Sequence, residues 1–426
     1  MSIKSIPLNS VARHAGLPIA ALLCLLLVFF AIKWYLANTI SARAEQKELA
    51  ELAVDLAPSD PQSHYALAVL GEKSFLPEDL SKSPAEFEKA AALAPNDYRL
   101  WFALARARDR AGDAEGAESA IRRASELAPH YAQVQWALGN ILLRRGKTEE
   151  AFAEIRKAVK GDATFTNPAV SIAWQIFDGD PARISRAVGD SSQAKSVLSA
   201  FLAKQKRFDE AFQIWNTLSD VEKQKTYGQG SGELLKELLQ AKKFRDALSV
   251  QTQLAAAEAE KPAPGKITNA GFETAVSTGN PSVFEWQIAE GAQPFVGVDD
   301  KQKTGGNYSL VIAFNSPNGQ DFRAVQQTVV VSPGKTYKFE VAARSDLKTS
   351  GSVRWEIADA ANASEGKLLA ATPAVAPNSS DWTKLTAAFT APATTEAVII
   401  RLAKTTCSAP ICPMSGKVWF DDFRLE

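Results

Sequence analysis

Side chains suited to acid–base or nucleophilic work are sparse in this chain of 426 residues. Histidine occurs only as His14, His64 and His130, so a site built wholly after residue 130 has no imidazole to move a proton. The acid pair Asp421-Asp422 has no histidine near it in sequence, and neither a nucleophile elbow nor a phosphate-cradling glycine loop is present. The expectation is a protein that is not an enzyme. Cys407 and Cys412 bracket Ser-Ala-Pro-Ile. In an oxidising compartment that spacing allows a loop-stapling disulfide, worth about 2 kcal/mol by chain entropy. A metal site there is the weaker alternative, because no histidine or further cysteine lies nearby. Forty-eight basic residues balance forty-eight acidic ones, which leaves no global field to favour nucleic acid.

The elements that would position these groups begin with an apolar run. Ala15 to Ile32 carries no charge, Lys33 follows, and Trp34 and Tyr35 suit a membrane interface. Residues 1–40 are expected to be a cytoplasmic tail and a transmembrane signal anchor. Cys24 sits in the run as a small apolar residue. Lys4 and Arg13 precede the run, and acids outnumber bases from Arg43 to Asp55, so the expected topology has the N-terminus inside. The body is then placed in the periplasm of a bacterium, behind a single pass through its inner membrane. A cleaved signal peptide is the alternative, with Ala42-Arg43-Ala44 as its small-x-small site.

Residues 41–260 read as helices. Between Tyr98 and Ala163 the chain repeats at an offset of 34 residues: Leu104 recurs as Leu138, Gly112 as Gly146, Ala117 as Ala151, Ile121 as Ile155 and Ala124 as Ala158. Glycine fits the turn of a helix hairpin, and the alanines let its second helix lie close on the first. With Leu138-Gly-Asn140 and the Leu-Ala-Pro stops ending at Pro95 and Pro129, the pattern resembles the tetratricopeptide repeat. It is clearest over 61–163 and degenerate over 164–260, where Phe208 and Phe244 open the last two units. A single helix is expected over Ser41–Ala57. The resemblance implies a groove for a protein partner, with Arg99, Arg106, Gln133 and Asn140 at exposed first-helix positions.

Alanine and glutamate give way to Lys261-Pro-Ala-Pro-Gly265, a linker over 261–265. Beyond it the runs alternate, as in Ser309–Phe314, Ala324–Val331, Thr336–Arg344, Ser352–Ile357, Lys384–Thr390, Ala397–Leu402 and Lys417–Leu425. This is the signature of an all-β sandwich. Asn269-Ala-Gly-Phe-Glu273, Trp286, Gly-Gly-x-Tyr-Ser-Leu at 305–310, Gln-Gln-Thr-Val before Pro-Gly-Lys-Thr-Tyr, and Val-Trp-Phe-Asp-Asp-Phe at 418–423 resemble the carbohydrate-binding modules with a galactose-binding-like jelly roll. That resemblance covers 266–426. It implies a structural calcium where the first strand meets the last, with Glu273 and Asp421 or Asp422 as oxygen ligands.

Sugar rings lay an apolar face on an aromatic and offer hydroxyls to polar neighbours. Trp286, Phe322 and Arg323 are the expected contacts, with Trp286 preferred and a core role for it as the alternative. Trp355, in step with Val353 and Ile357, reads as core. The chain is thus expected to be multidomain: a transmembrane helix, an all-α tetratricopeptide solenoid and an all-β jelly-roll sandwich. The function expected is an envelope scaffold that binds a protein partner and a polysaccharide, of the kind used in exopolysaccharide or surface-glycan assembly. The alternative is a protein–protein adaptor that binds no sugar.

Overall fold

A computed structural model describes residues 11–426 except 75, 227–229, 256–259, 277–278, 280, 317–318, 320–321, 350, 366–367 and 406–411. The described chain forms two compact units, one ending at Asp190 and one beginning at Ser191.

In the first unit, α1 (Val11–Arg43) carries the apolar run. From Pro18 to Arg43 it is long and apolar enough to cross a membrane. Its end does something else: Ala37 is fully buried against Ala53 and Ala57, with Ile40 and Leu56 packed around them. The single helix expected over Ser41–Ala57 does not form. The chain breaks between Arg43 and Lys47, and α2 (Lys47–Leu56) folds back on α1. Small residues on both helices permit that close return.

Three hairpins follow, α3 (Pro61–Lys73) with α4 (Pro77–Leu93), α5 (Tyr98–Arg110) with α6 (Ala114–Leu127), and α7 (Ala132–Arg144) with α8 (Thr148–Gly161). Asp60, Asp97 and Asp113 cap α3, α5 and α6 through backbone amides at 2.9–3.0 Å. The repeated positions behave as their periodicity implies. Leu104, Leu138, Ala117, Ala151, Ile121, Ile155, Ala124 and Ala158 are all buried, and a Cβ on Gly139 would come within 2.7 Å of Ile155. A second regularity sits at the entrance of each hairpin. His64 Nε2 lies 3.0 Å from the Pro58 carbonyl, Trp101 Nε1–H donates to Pro95 at 3.0 Å, and Gln135 donates to Pro129. Three unlike side chains do one job at one repeat position. The 3-10 turn Ala163–Phe165, α9 (Thr166–Ile176) and α10 (Pro181–Val188) complete the unit, with a break at Asp178-Gly179-Asp180.

The second unit holds α11 (Ser192–Lys204), α12 (Phe208–Trp215), α13 (Asp220–Lys225), α14 (Gly232–Gln240) and α15 (Phe244–Leu254), then the sandwich. Helices α11–α15 thus share a compact unit with the sandwich. The turns of four hairpins share one geometry. Gly112, Gly146, Lys206 and Lys242 all have positive φ. At each, that residue's N–H and the next bond back into the helix, as in Lys206 to Ala203 and Arg207 to Leu202, both at 2.9 Å. In the degenerate units lysine occupies the glycine position.

The sandwich comprises β1 (Gln287–Ile288), β2 (Phe295–Asp299), β3 (Ser309–Ser316), β4 (Val325–Val330), β5 (Thr336–Ser345), β6 (Val353–Asp359), β7 (Leu368–Ala371), β8 (Thr383–Thr390), β9 (Ala397–Lys404) and β10 (Met414–Leu425). They form two antiparallel sheets, β1-β4-β9-β6-β7 and β2-β3-β10-β5-β8. Alternate residues of each strand enter one core, among them Val325 and Val329, Val353, Trp355 and Ile357, and Val398, Ile400 and Leu402. Gln327 also points inward. Buried at 1% exposure, it grips Thr268 through both its amide groups at 2.9 and 3.0 Å, tying the first segment of the domain to β4. Helix α15 packs on β4, which accounts for the burial of Val330 on the sheet's outer face.

Candidate functional site

Trp286 is not a platform. It is 2% exposed, stacked on Phe272 at 5.1 Å between ring centroids and edge-on to Phe423 at 5.0 Å. Its Nε1–H donates to the Asn269 carbonyl at 3.1 Å. The Asn-Ala-Gly-Phe-Glu stretch explains why. Asn269 exchanges two hydrogen bonds with Thr274, and Asn269 and Phe272 adopt positive φ, a tight turn that drives Phe272 under the indole. The preceding proline–serine loop brings Trp286 inward rather than out. Trp355 is fully buried, as its strand parity requires. Phe322 is half-buried and leans on the same core, and Arg323 Nε donates to the Ala289 carbonyl at 2.8 Å.

Glu273 and Asp421 meet around one loop. Glu273 accepts the Asn307 amide with both oxygens at 2.9 Å and the Tyr308 amide at 3.3 Å, and the Asn307 amide holds its carboxyl below the usual range. Asp421, buried at 3% exposure, accepts the Thr304 amide and hydroxyl, both at 2.7 Å, and the Asp422 amide at 2.8 Å. Glycine is favoured at 306: its φ is +58° and a Cβ there would come within 2.0 Å of the Glu273 carboxylate. Asp422 turns away to pair with Arg424 at 2.8–2.9 Å and is no part of this group. The oxygens that a calcium ion would need accept N–H and O–H bonds from the 304–308 loop in this structure. No cluster of three or more His, Cys, Asp or Glu occurs among the described residues. In the described structure Glu273 and Asp421 hold the loop by hydrogen bonds to its amides. Cys412 is disulfide-bonded, Cys24 is free and exposed, and Cys407 lies outside the described residues.

On the outer face of the β1-β4-β9-β6-β7 sheet the structure assembles a group that no motif announced. Gln287 pairs with Gln326, Gln326 with Arg401, and Arg401 with Glu356, each directly opposite in register. Neighbouring strands lie about 4.8 Å apart, so the four side chains form one row across four strands. Gln326 donates to Gln287 at 3.3 Å. Arg401 donates to Glu356 at 3.1 and 3.2 Å, and Arg354 joins at 2.8 Å. Burial acts to raise the Glu356 carboxyl, but the two guanidiniums win and hold it low. Such a row offers amide and guanidinium donors and amide acceptors at fixed spacing, which suits a ligand rich in hydroxyls. Phe322 and Arg323 precede β4, four and three residues before Gln326. In sequence, each member is one polar residue in an alternating strand. The alignment arises from a strand order that chain order does not disclose.

In the array, Arg99 is exposed but paired with the capping Asp97 at 2.6–2.9 Å. Arg106 lies over the Phe102 ring at 5.9 Å. Asn140 donates to the Trp136 carbonyl of its own helix at 2.8 Å. Gln133 lines an open cavity of about 780 Å³ with His130, Tyr131, Asp162 and Phe165, beside the stacked pair Trp136–Phe165 at 4.9 Å.

Residues 265–409 match a family model described as a carbohydrate binding domain. No curated protein matches the chain. Among solved structures, one described as "CBM4 structure and function" is 21% identical, covering 38% of this chain and 99% of that one at a TM-score of 0.28. Pseudomonas aeruginosa pilF is 18% identical over 50% of this chain and 96% of its own, with a TM-score of 0.32. MamA from AMB-1 is 23% identical over 27% of this chain, which spans 66% of it at a TM-score of 0.25. By its repeated hairpins this chain carries a tetratricopeptide-like helical array, and over residues 265–409 it is similar to carbohydrate-binding modules.

Proposed function

We propose that the protein is a non-catalytic, membrane-anchored scaffold whose array docks a protein partner and whose sandwich binds a polysaccharide. The observation that carries the sugar reading is the in-register row Gln287–Gln326–Arg401–Glu356 on an outer sheet face, within a region that matches a carbohydrate-binding model. The anchor reading is supported by α1, whose apolar segment runs without a break into a buried contact with α2. Cleavage at Ala44 would cut the linkage of that hairpin. An exported body agrees with a bonded Cys412. In this setting the chain acts in surface-glycan or exopolysaccharide assembly at a bacterial inner membrane, with its body in the periplasm. A glycan array probed with the full chain in detergent tests the sugar reading. Retention on a polysaccharide, lost in the Gln287→Ala/Gln326→Ala variant, supports it; no retention leaves the adaptor that binds only protein.

A further inference from the structure

A small cavity in the first unit has no counterpart in the repeat pattern. It measures about 170 Å³ and is lined by Thr148, Glu149, Phe152, Arg156, Phe177, Arg183, Arg186 and Ala187. Three arginines and one glutamate therefore line a space the size of a few heavy atoms. The polar partners of Arg156 and Arg186 among the described residues are backbone carbonyls, and Arg183 lies over a ring. Each is held. Arg156 donates to the Arg186 and Ala187 carbonyls at 3.3 and 3.2 Å, closing the end of α10. Arg183 lies 4.6 Å over the Phe177 ring, which packs on Phe152 at 5.2 Å. Arg186 Nε leans on the Ala182 carbonyl at 3.4 Å. The α8 N-terminus, which opens at Thr148 with no side-chain cap, adds a positive helix end to the same wall.

We propose that this pocket takes a carboxylate side chain from an acidic segment of a protein partner. Guanidinium forks match carboxylates bidentately, and the Phe152–Phe177 floor suits the methylenes that carry an aspartate or glutamate head. The argument from charge is direct: three cations against Glu149 leave an excess of positive charge in a partly enclosed space. A free anion shares the head-group chemistry but makes no use of the aromatic floor. The proposal rests on the reading that the array docks a protein, and names the chemistry of one contact.

The test uses the full chain in detergent micelles and a fluorescein-labelled hexaglutamate peptide, followed by anisotropy. The expected result is saturable binding that weakens about tenfold or more in Arg183→Gln/Arg186→Gln, since charge-assisted bonds are lost. Both residues are exposed, and an unchanged melting temperature confirms that the variant folds. Arg183→Lys/Arg186→Lys should fall between the two, and Glu149→Gln should tighten binding. Hexaglutamate that fails to bind, or binds the variant equally well, overturns the assignment. So does an arginine-dependent site for inorganic phosphate or hyaluronate that ignores hexaglutamate. Cross-linking of a partner to residues lining the Gln133 cavity, with no hexaglutamate binding, would sink this pocket while leaving the scaffold reading in place.

Discussion

Glu396, at the start of a sandwich strand, caps a helix of the array: its carboxylate accepts the Arg245 amide, in the first turn of α15, at 3.1 Å. Lys243, at the cap position itself, supplies no side-chain bond. Lys242 adds a second tie, to the Ala361 carbonyl beyond β6. The sandwich thus completes the end of the helix that packs on it. Glu396→Ala should cost about 0.5–2 kcal/mol, the range for a lost N-cap, read as a lower Tm of the second unit. The same change bears on Asp246, whose carboxyl is pushed up by burial and by Glu396. A raised acid binds its proton more tightly when folded, so acidification through that raised value stabilises the fold. Glu396→Ala should shrink this gain, measured as stability against pH.

Glu118 gives the opposite sign. Burial acts to raise it, yet Lys147 and Arg122 hold it below 4.5, and Arg145 adds a third contact at 3.0 Å. Its contribution is present above pH 4.5 and disappears as pH falls through the lowered folded value. Glu118→Gln should lower the Tm at pH 7 by about 2–4 °C. The gap to wild type should close on acidification. An equal gap at every pH would show that the carboxylate's charge is not what joins these helices.

Lys206 and Lys242 hold the left-handed turn position that glycine fills in the two clear repeats. Lys206→Gly should stabilise the second unit by about 0.5–1 kcal/mol through relief of the Cβ clash. The same change at an exposed helix position with negative φ, such as Lys236, should destabilise by a similar amount. Denaturant midpoints separate the two.

Trp286→Ala should cost about 3–5 kcal/mol, since the indole sits among Phe272, Trp355 and Phe423. A variant with native Tm would return Trp286 to the surface. Chelation of calcium should leave the sandwich's Tm unchanged, because amides of the 304–308 loop already fill the Glu273 and Asp421 oxygens. A drop in Tm on chelation that added calcium reverses would restore the metal.

The helical array was legible because its packing is local: a position that recurs at 34 residues meets the same neighbours each time, and alanine and glycine cannot be traded there for larger side chains. The long alternating strands were legible for the same reason. What escaped depended on distance. β1 has two residues and β7 four, too short for alternation to register, and Trp286 beside β1 gave no sign of which way it faced. Asp421 and Asp422 are neighbours in sequence, yet one grips a loop and the other pairs with Arg424; a register shift after Asp421 separates them. The row of Gln287, Gln326, Arg401 and Glu356 draws on strands up to 114 positions apart and could not be seen before the strand order was known.

The most direct test of the central claim is affinity electrophoresis of the full chain, in detergent, through gels cast with polysaccharides retained on the glycan array. The account predicts that wild type is slowed and that Gln287→Ala/Gln326→Ala migrates as in a sugar-free gel, with the two proteins melting alike. Equal retardation of both would contradict the assignment of the sheet face, and a wild-type protein that no polysaccharide slows would contradict sugar binding itself.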